Sequence, residues 1–259
     1  MILAKFAETT EHYYWEGLST VVHVLGDSVV AYVTGVSSAH FNIVFIKQDV
    51  SNLAAVIRQC EDFYASQNLP FSFSIPKVLC TPGVVQEFSS SGYACVEADY
   101  PSMGIELNRG RLEFFDSAHK IHSTDHKLSD WMEPLISAFG NSDENSNEFV
   151  KTCIKAHERA LKKEWGMNHY TLYVHGRPVS SLTLSLHNHL ARIDDMGTSP
   201  NDQRQGYGYQ LMAYALQNAS ERGASYCFLV SSQTGLRLYE SMGFIEIDRH
   251  QSYTRFSVA

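Results

Sequence analysis

Apolar and polar residues recur along this chain with two different periods, and the switches between them mark out its elements. Apolar residues crowd Val21–Leu25 and residues 29–34 on either side of Gly26-Asp27, which predicts a β-hairpin, and 41–46 predicts a third strand. From Ser51-Asn52 the period lengthens: Leu53, Val56, Ile57, Cys60 and Phe63-Tyr64 lie on one helical face. Residues 71–75 alternate with serine as a strand does. Val84, Val85 and Phe88 then follow Pro82 as a short helix, and after Gly92-Tyr93 a strand surrounds 94–98.

Pro101, Gly104 and Gly110 interrupt the pattern and set an expected boundary between units 1–108 and 109–259, with 112–115 as the first strand of the second unit. Two helical faces follow. Leu128, Trp131, Leu135 and Phe139 are closed by Gly140; Phe149, Cys153, His157, Leu161 and Trp165 are closed by Gly166. The segment 141–148 between them is polar and acidic. Residues 170–174 and 179–186 read as a hairpin around His175-Gly176-Arg177, and 190–198 as a strand that ends in a turn at Pro200. Beyond the turn, Leu211, Met212, Ala215, Leu216 and Ala219 repeat at helical spacing, and a buried-looking strand precedes a short helix and Gly243-Phe244. Strand, helix, strand, short helix, Gly-aromatic, strand thus occurs twice. The chain reads as mixed α/β with a degenerate internal repeat, an unrelated small α/β domain being the other reading of its first half.

At 259 residues and 44% hydrophobic the chain can bury a substantial core. A net charge of −8 without any Lys/Arg run argues against a phosphate track for nucleic acid and suits a cationic or amine-bearing substrate. No apolar run reaches membrane-spanning length and the N-terminal residues lack a signal-peptide core, so the expectation is a cytoplasmic protein without a membrane partner. Five scattered cysteines without a Cys-x-x-Cys pair indicate neither disulfides nor zinc. His119, His122 and His126 have no Cys nearby and match no common zinc spacing, so no metal is expected.

The chemistry concentrates in Thr198–Leu216. A strand enters a turn carrying Gln203, Arg204, Gln205, Gly206, Tyr207 and Gly208, then a helix begins. The first N–H groups of a helix lack partners and carry partial positive charge, and the two glycines let a bulky anion approach the backbone. This Gln-x-x-Gly-x-Gly turn, followed downstream by Leu238-Tyr239-Glu240-Ser241-Met242-Gly243-Phe244, resembles the GNAT superfamily of N-acetyltransferases from about Glu113 onward. The resemblance implies a GNAT-like twisted mixed sheet flanked by helices, acetyl-CoA as co-substrate, and transfer of its acetyl group to a primary amine. That acceptor would be a small or amino-acid-like molecule or a protein amine. A CoA-binding sensor that keeps the loop and catalyses nothing is the other reading.

The resemblance also implies residue roles. Residues 203–208 would hold the pyrophosphate, and the backbone of Met196, Gly197 and Thr198 would bond the pantetheine arm and acetyl carbonyl. Tyr239 would protonate the departing thiolate. Arg204 stands where glycine is common and Ser232 where asparagine is common; Ser232 also suits an N-cap for the helix carrying Tyr239. Trp131, Phe139 and the 141–148 loop would lie near the acceptor, although plain core is the favoured reading for Trp131. For the base, Asp194 and Asp195 are the nearest carboxylates in sequence. Regular strand alternation sends them to opposite faces, and Asp194, on the face of Met196, is the expected choice, a structural aspartate or a water-relayed proton being the other readings. In the first half, the corresponding loop Lys47 to Asn52 has no glycine and carries Asp49, so that half is expected to be a GNAT-like unit without a cofactor site.

Overall fold

The computed structural model describes residues 2–107, 119–140 and 147–255. Their strands form one continuous eleven-stranded sheet. β1 (Val21–Leu25), β2 (Val29–Val33) and β3 (Asn42–Ile46) form an antiparallel meander, and β4 (Ser72–Pro76) returns parallel to β3 through helix α2 (Leu53–Gln67). A short helix α3 (Pro82–Ser90) then leads into the long strand β5 (Tyr93–Glu106). The second half repeats this order. β7 (Met167–Val174), β8 (Arg177–His187) and β9 (Leu190–Thr198) are antiparallel, and β10 (Tyr226–Val230) returns parallel to β9 through α6 (Tyr207–Glu221). Short helix α7 (Leu236–Ser241) leads into β11 (Ile245–Arg255).

The agreement reaches single residues. Gly92 (φ +81°) before β5 and Gly243 (φ +95°) before β11 both hold the left-handed conformation that lets the helix end turn into the strand. Each is followed by a buried aromatic, Tyr93 or Phe244. The repeated order predicted from the pattern is therefore present in space.

The two last strands are exchanged between the halves. The sheet order is β1-β2-β3-β4-β11-β5-β10-β9-β8-β7-β6, where β6 is Lys120–Ser123. β11 from the second half lies against β4 of the first, and β5 from the first lies against β10 of the second. β5 ends at Glu106, just short of the expected boundary, and has Pro101 and Gly104 inside it, so neither residue interrupts the strand. Pro101 pairs in register with Arg249, and register shifts lie on either side of it along the β5–β11 pair. Gly104 is required because a Cβ there would approach Phe228 and Ile247 within 3 Å.

Helices cover both faces. α6 and α7 pack on β7–β10, and α2 and α3 on β2–β4, all on one side. The other side is covered by α4 (Leu128–Phe139), α5 (Asn147–Lys162) and α1 (Ile2–Leu18), the last a helix the sequence reading does not contain. Its buried positions Ala7, Thr10, Tyr14 and Leu18 do follow helical spacing. α1 touches both halves: Trp15 packs on Tyr32 and Phe45 of the first, and Phe6 and Ala7 on Leu190 and Phe228 of the second. Gly17 admits the Trp165 indole, which donates from Nε1 to the Tyr13 carbonyl at 2.7 Å. His122 lies in β6, and the expected strand 112–115 lies outside the described residues.

Candidate active site

β9 and β10 are paired only at Leu190–Tyr226, Ala191–Cys227 and Arg192–Phe228, so beyond Arg192 the two parallel strands separate. Such a parting exposes unpaired backbone groups at strand ends, and α6 presents its N-terminus at that opening. A Cβ on Gly208 would meet Met196 Cε at 3.2 Å, Thr198 Oγ1 at 3.4 Å and Leu238 Cδ2 at 3.7 Å, so the first turn of α6 sits between the end of β9 and α7. Gly206, the residue before the helix, has φ +80° and makes no side-chain cap, and a Cβ there would meet nothing nearer than 4.0 Å. The helix start is thus open on the side an anion would approach.

The matching start of α2 is closed. There Asn52 accepts from the Ala55 N–H at 3.0 Å, filling with its own side chain the role a phosphate would take. Around the open loop, Gln203 donates to the Thr198 carbonyl at 3.1 Å, and the Tyr207 hydroxyl donates to Gln205 at 3.0 Å. Arg204 is exposed and has φ +63°, which gives the physical reason glycine is common at this position: its lack of a Cβ makes the left-handed region free of strain. Ser232 accepts from the Gly235 N–H at 3.2 Å and caps the turn that leads into α7. Tyr239 is buried on α7 with its ring against Phe244, and its hydroxyl has no hydrogen bond among the described residues. Burial, reinforced by the negative charge of Asp194, pushes its phenol up to about 12, so it holds its proton at neutral pH.

Asp194 and Asp195 do not alternate across the strand as expected. β8 pairs Thr183 with Asp194 and Ser181 with Gly197, so three steps on β9 face two on β8, and Asp195 takes φ +52° at this bulge. The extra residue turns both carboxylates to the α1 side while Met196 returns to the α6 side. Asp194 accepts from Arg192 Nε at 2.9 and 3.0 Å, and the same guanidinium reaches Glu11 of α1 at 3.3 Å. Burial pushes the Asp194 carboxyl up to about 7 despite that guanidinium.

Asp195 instead faces a cavity of 420 Å³ between α4, α5 and the Phe41 corner of the first half. Its walls are apolar, chiefly Phe41, Met132, Leu135, Phe139 and Phe149. The carboxylate accepts from the Tyr14 hydroxyl at 2.9 Å and from Thr183 Oγ1 at 2.8 Å, while burial raises its proton affinity against those bonds. Trp131 lines the same cavity from a fully buried position, so it is core and wall at once. Gly197 lets α4 close over β9: a Cβ there would come within 2.9 Å of Leu135 and Phe139. Sequence reasoning missed Tyr14, whose helix it did not contain, and the cavity wall drawn from Phe41. Most of the 141–148 loop lies outside the described residues. Among the described residues no cluster of metal-ligating side chains occurs, and no helix is long and apolar enough to cross a membrane.

The fold is shared with known proteins. Residues 139–256 match the family model described as an acetyltransferase (GNAT) domain. No curated protein matches the sequence. Among solved structures, the chain is similar to a GCN5-related N-acetyltransferase from Kribbella flavida, with 15% identity, a TM-score of 0.69, and 97% of this chain and 96% of that one covered. A conserved protein of unknown function from Staphylococcus epidermidis matches with 12% identity, a TM-score of 0.70, and 92% and 94% coverage. A tandem GNAT protein from the clavulanic acid biosynthesis pathway matches with 10% identity, a TM-score of 0.56, and 88% and 78% coverage. At these identities the likeness is one of fold, and it extends over nearly the whole chain, first half included. Residues 139–256 of this chain are thus similar to a GNAT acetyltransferase domain, and they lie in a mixed α/β sheet that the N-terminal half completes.

Proposed function

We propose that the protein is an acetyl-CoA-dependent N-acetyltransferase whose acceptor is a primary amine on an apolar body. One observation carries this reading: the bulge in β9 points Met196 toward the open start of α6 and Asp195, its neighbour, into the 420 Å³ apolar cavity. Donor and acceptor would thus meet across two residues of one strand. In this reading CoA lies along the parting of β9 and β10. Residues 203–208 hold its pyrophosphate at the helix start, the backbone of Met196, Gly197 and Thr198 continues the sheet onto the pantetheine arm, and Ser232 stands at the far wall. Arg204, exposed beside the loop, supplies positive charge for a phosphate.

The reaction is direct attack. The amine gives up a proton, its nitrogen bonds the thioester carbon, the C–S bond breaks, and Tyr239 hands its proton to the leaving sulfur. For the base we propose Asp195 in place of Asp194. Asp194 is occupied by Arg192, whereas Asp195 lies at the cavity wall, beside Met196. The first half takes no CoA in this reading, because Asn52 caps the only equivalent helix start. It contributes β5, Tyr14 and Phe41 to the catalytic half, so units 1–108 and 109–259 would act as one body. A panel of amines, assayed for thiol release from acetyl-CoA, tests the proposal. Amines with aromatic or branched apolar bodies should be turned over. Failure of every amine in the panel to release thiol, alongside intact CoA binding, would instead favour a sensor.

A further inference from the structure

Behind Asp195 runs a chain of buried groups that the transfer reaction as drawn does not use. His157 of α5 and His169 of β7 are almost fully buried, and His157 Nδ1 lies 2.9 Å from His169 Nε2. On its other side His169 Nδ1 lies 2.8 Å from Asp125 Oδ1, an oxygen that also accepts the His169 backbone N–H at 2.7 Å. Asp125 is part-exposed at the protein surface, with 31% of its side chain accessible. Burial raises its carboxyl, but the bonds from His169 outweigh that and keep it below the ordinary range. The chain ends at the cavity, where His157 Nε2 stands 3.9 Å from Asp195 Oδ2.

An ionised Asp125 only accepts, so His169 must carry its proton on Nδ1 and offer Nε2 as an acceptor. His157 then must donate from Nδ1, which leaves the lone pair of its Nε2 directed to the cavity end. A separation of 3.9 Å is too long for a direct hydrogen bond to Asp195 and suits one donor shared between the two acceptors. An ammonium or amine is such a donor. The groups facing His157 agree with a base at rest: burial first, then any positive charge on His169 and that of Arg159, lower its proton affinity. Arg192 and Asp194 of β9 are paired with each other, and Tyr14 of α1 is committed to Asp195. Trp131 of α4 packs its indole 4.4 Å from the His157 ring and 4.9 Å from the His169 ring.

Resting on the reading that this cavity takes the acceptor amine, we infer that His157, held by His169 and Asp125, takes the proton the amine loses in place of Asp195, which holds the amine as its second acceptor. The balance is simple. An N–H bond of the acceptor breaks and His157 Nε2–H forms, the His157 Nδ1–H bond breaks and His169 Nε2–H forms, and the positive charge rests on His169 against the Asp125 carboxylate. His157, now a donor at Nε2, turns to Asp195 as its partner. The same path run backward returns the proton when product leaves, so the rings need not flip. His157 is the group that touches the amine; His169 and Asp125 are positioning residues.

Two measurements test this. In the full-length protein at pH 8, nitrogen-15 shifts of the imidazoles should report Nδ1–H tautomers for both His157 and His169. A His157 ring protonated at Nε2 would overturn the relay whatever the enzyme does. In steady-state kinetics Asp125→Asn should lower kcat about tenfold and leave the acetyl-CoA KM unchanged. It should also move the acid limb of the kcat/KM profile to lower pH, because a neutral amide no longer supports the imidazolium. His157→Gln should cost about 10²-fold. A merely structural role would lower the melting temperature and leave the pH limb of Asp125→Asn where it is in the wild type, which would sink the inference while the functional proposal stood. Absence of thiol release by the wild type with every amine would sink the functional proposal, and the tautomer measurement would still decide the relay.

Discussion

Replacing Tyr239 by phenylalanine removes one oxygen from a site where the structure makes its loss nearly silent for folding. The ring is 7% exposed and packs on Phe244, and Gly235 exists to receive it, since a Cβ there would lie 2.8 Å from Tyr239 Cε2. Phenylalanine keeps all of that contact. The hydroxyl has no hydrogen bond among the described residues, so its removal leaves no partner unsatisfied, and stability should change by less than about 1 kcal/mol. Catalysis is a different matter. A phenol pushed up to about 12 is fully protonated at pH 8 and is a weaker acid than an ordinary thiol, so its help to a leaving thiolate falls at the low end for a general acid. We expect kcat to fall about 10²-fold, or about 2.7 kcal/mol in the barrier, with acetyl-CoA affinity unchanged. The assay is single-turnover thiol release with an amine for which chemistry limits the rate, beside calorimetry with acetyl-CoA and a melting curve. A rate within about threefold of wild type would refute proton donation and make Tyr239 a packing residue.

The other expectations follow from the loop and the exchanged strands. Gly208→Val should weaken CoA binding at least about tenfold by calorimetry, because its Cβ enters the gap between β9 and α7 while pressing only on the flexible end of Met196; unchanged affinity would remove the phosphate site from the loop. Gly206→Val should do the same at an added cost in stability, since its φ of +80° suits only glycine. Arg204→Gly should raise stability by about 0.5–1 kcal/mol in denaturant melts by relieving the left-handed strain, yet reduce the salt dependence of CoA affinity; a loss of stability would contradict the strain argument. Neither fragment 1–108 nor fragment 109–259 should fold alone, because each lacks the strand that fills its sheet, whereas coexpression should restore CoA binding. A well-folded C-terminal fragment with full affinity would show that β5 is dispensable.

Periodicity alone determined most of the elements here, because amphipathic helices and half-buried strands must repeat their apolar residues every 3.6 or 2 positions whatever they pack against. The strand 190–198 has the same bounds in both readings, and the loop at 203–208 with its following helix stands where the glycines and the apolar face put it. The doubled order of elements was legible for the same reason. What the pattern could not carry is anything set by partners distant in sequence. β5 looked broken at Pro101 and Gly104 because local preference opposes a strand there, and only pairing with β11 and the close approach of Phe228 reverse that. α1 shows a helical spacing, yet its role lies in contacts across 181 residues, from Tyr14 to Asp195 and from Glu11 to Arg192. The candidate base moved from Asp194 to Asp195 because a bulge inserts one residue and shifts every later side chain to the other face, and a bulge is decided by the register of β8 against β9. Asp125, His157 and His169 were three scattered polar residues until the sheet and α5 packed together. Local sequence fixes the period of each segment, but a site made of side chains from α1, α5, β7 and β9 exists only where tertiary packing excludes water and brings them within hydrogen-bond reach.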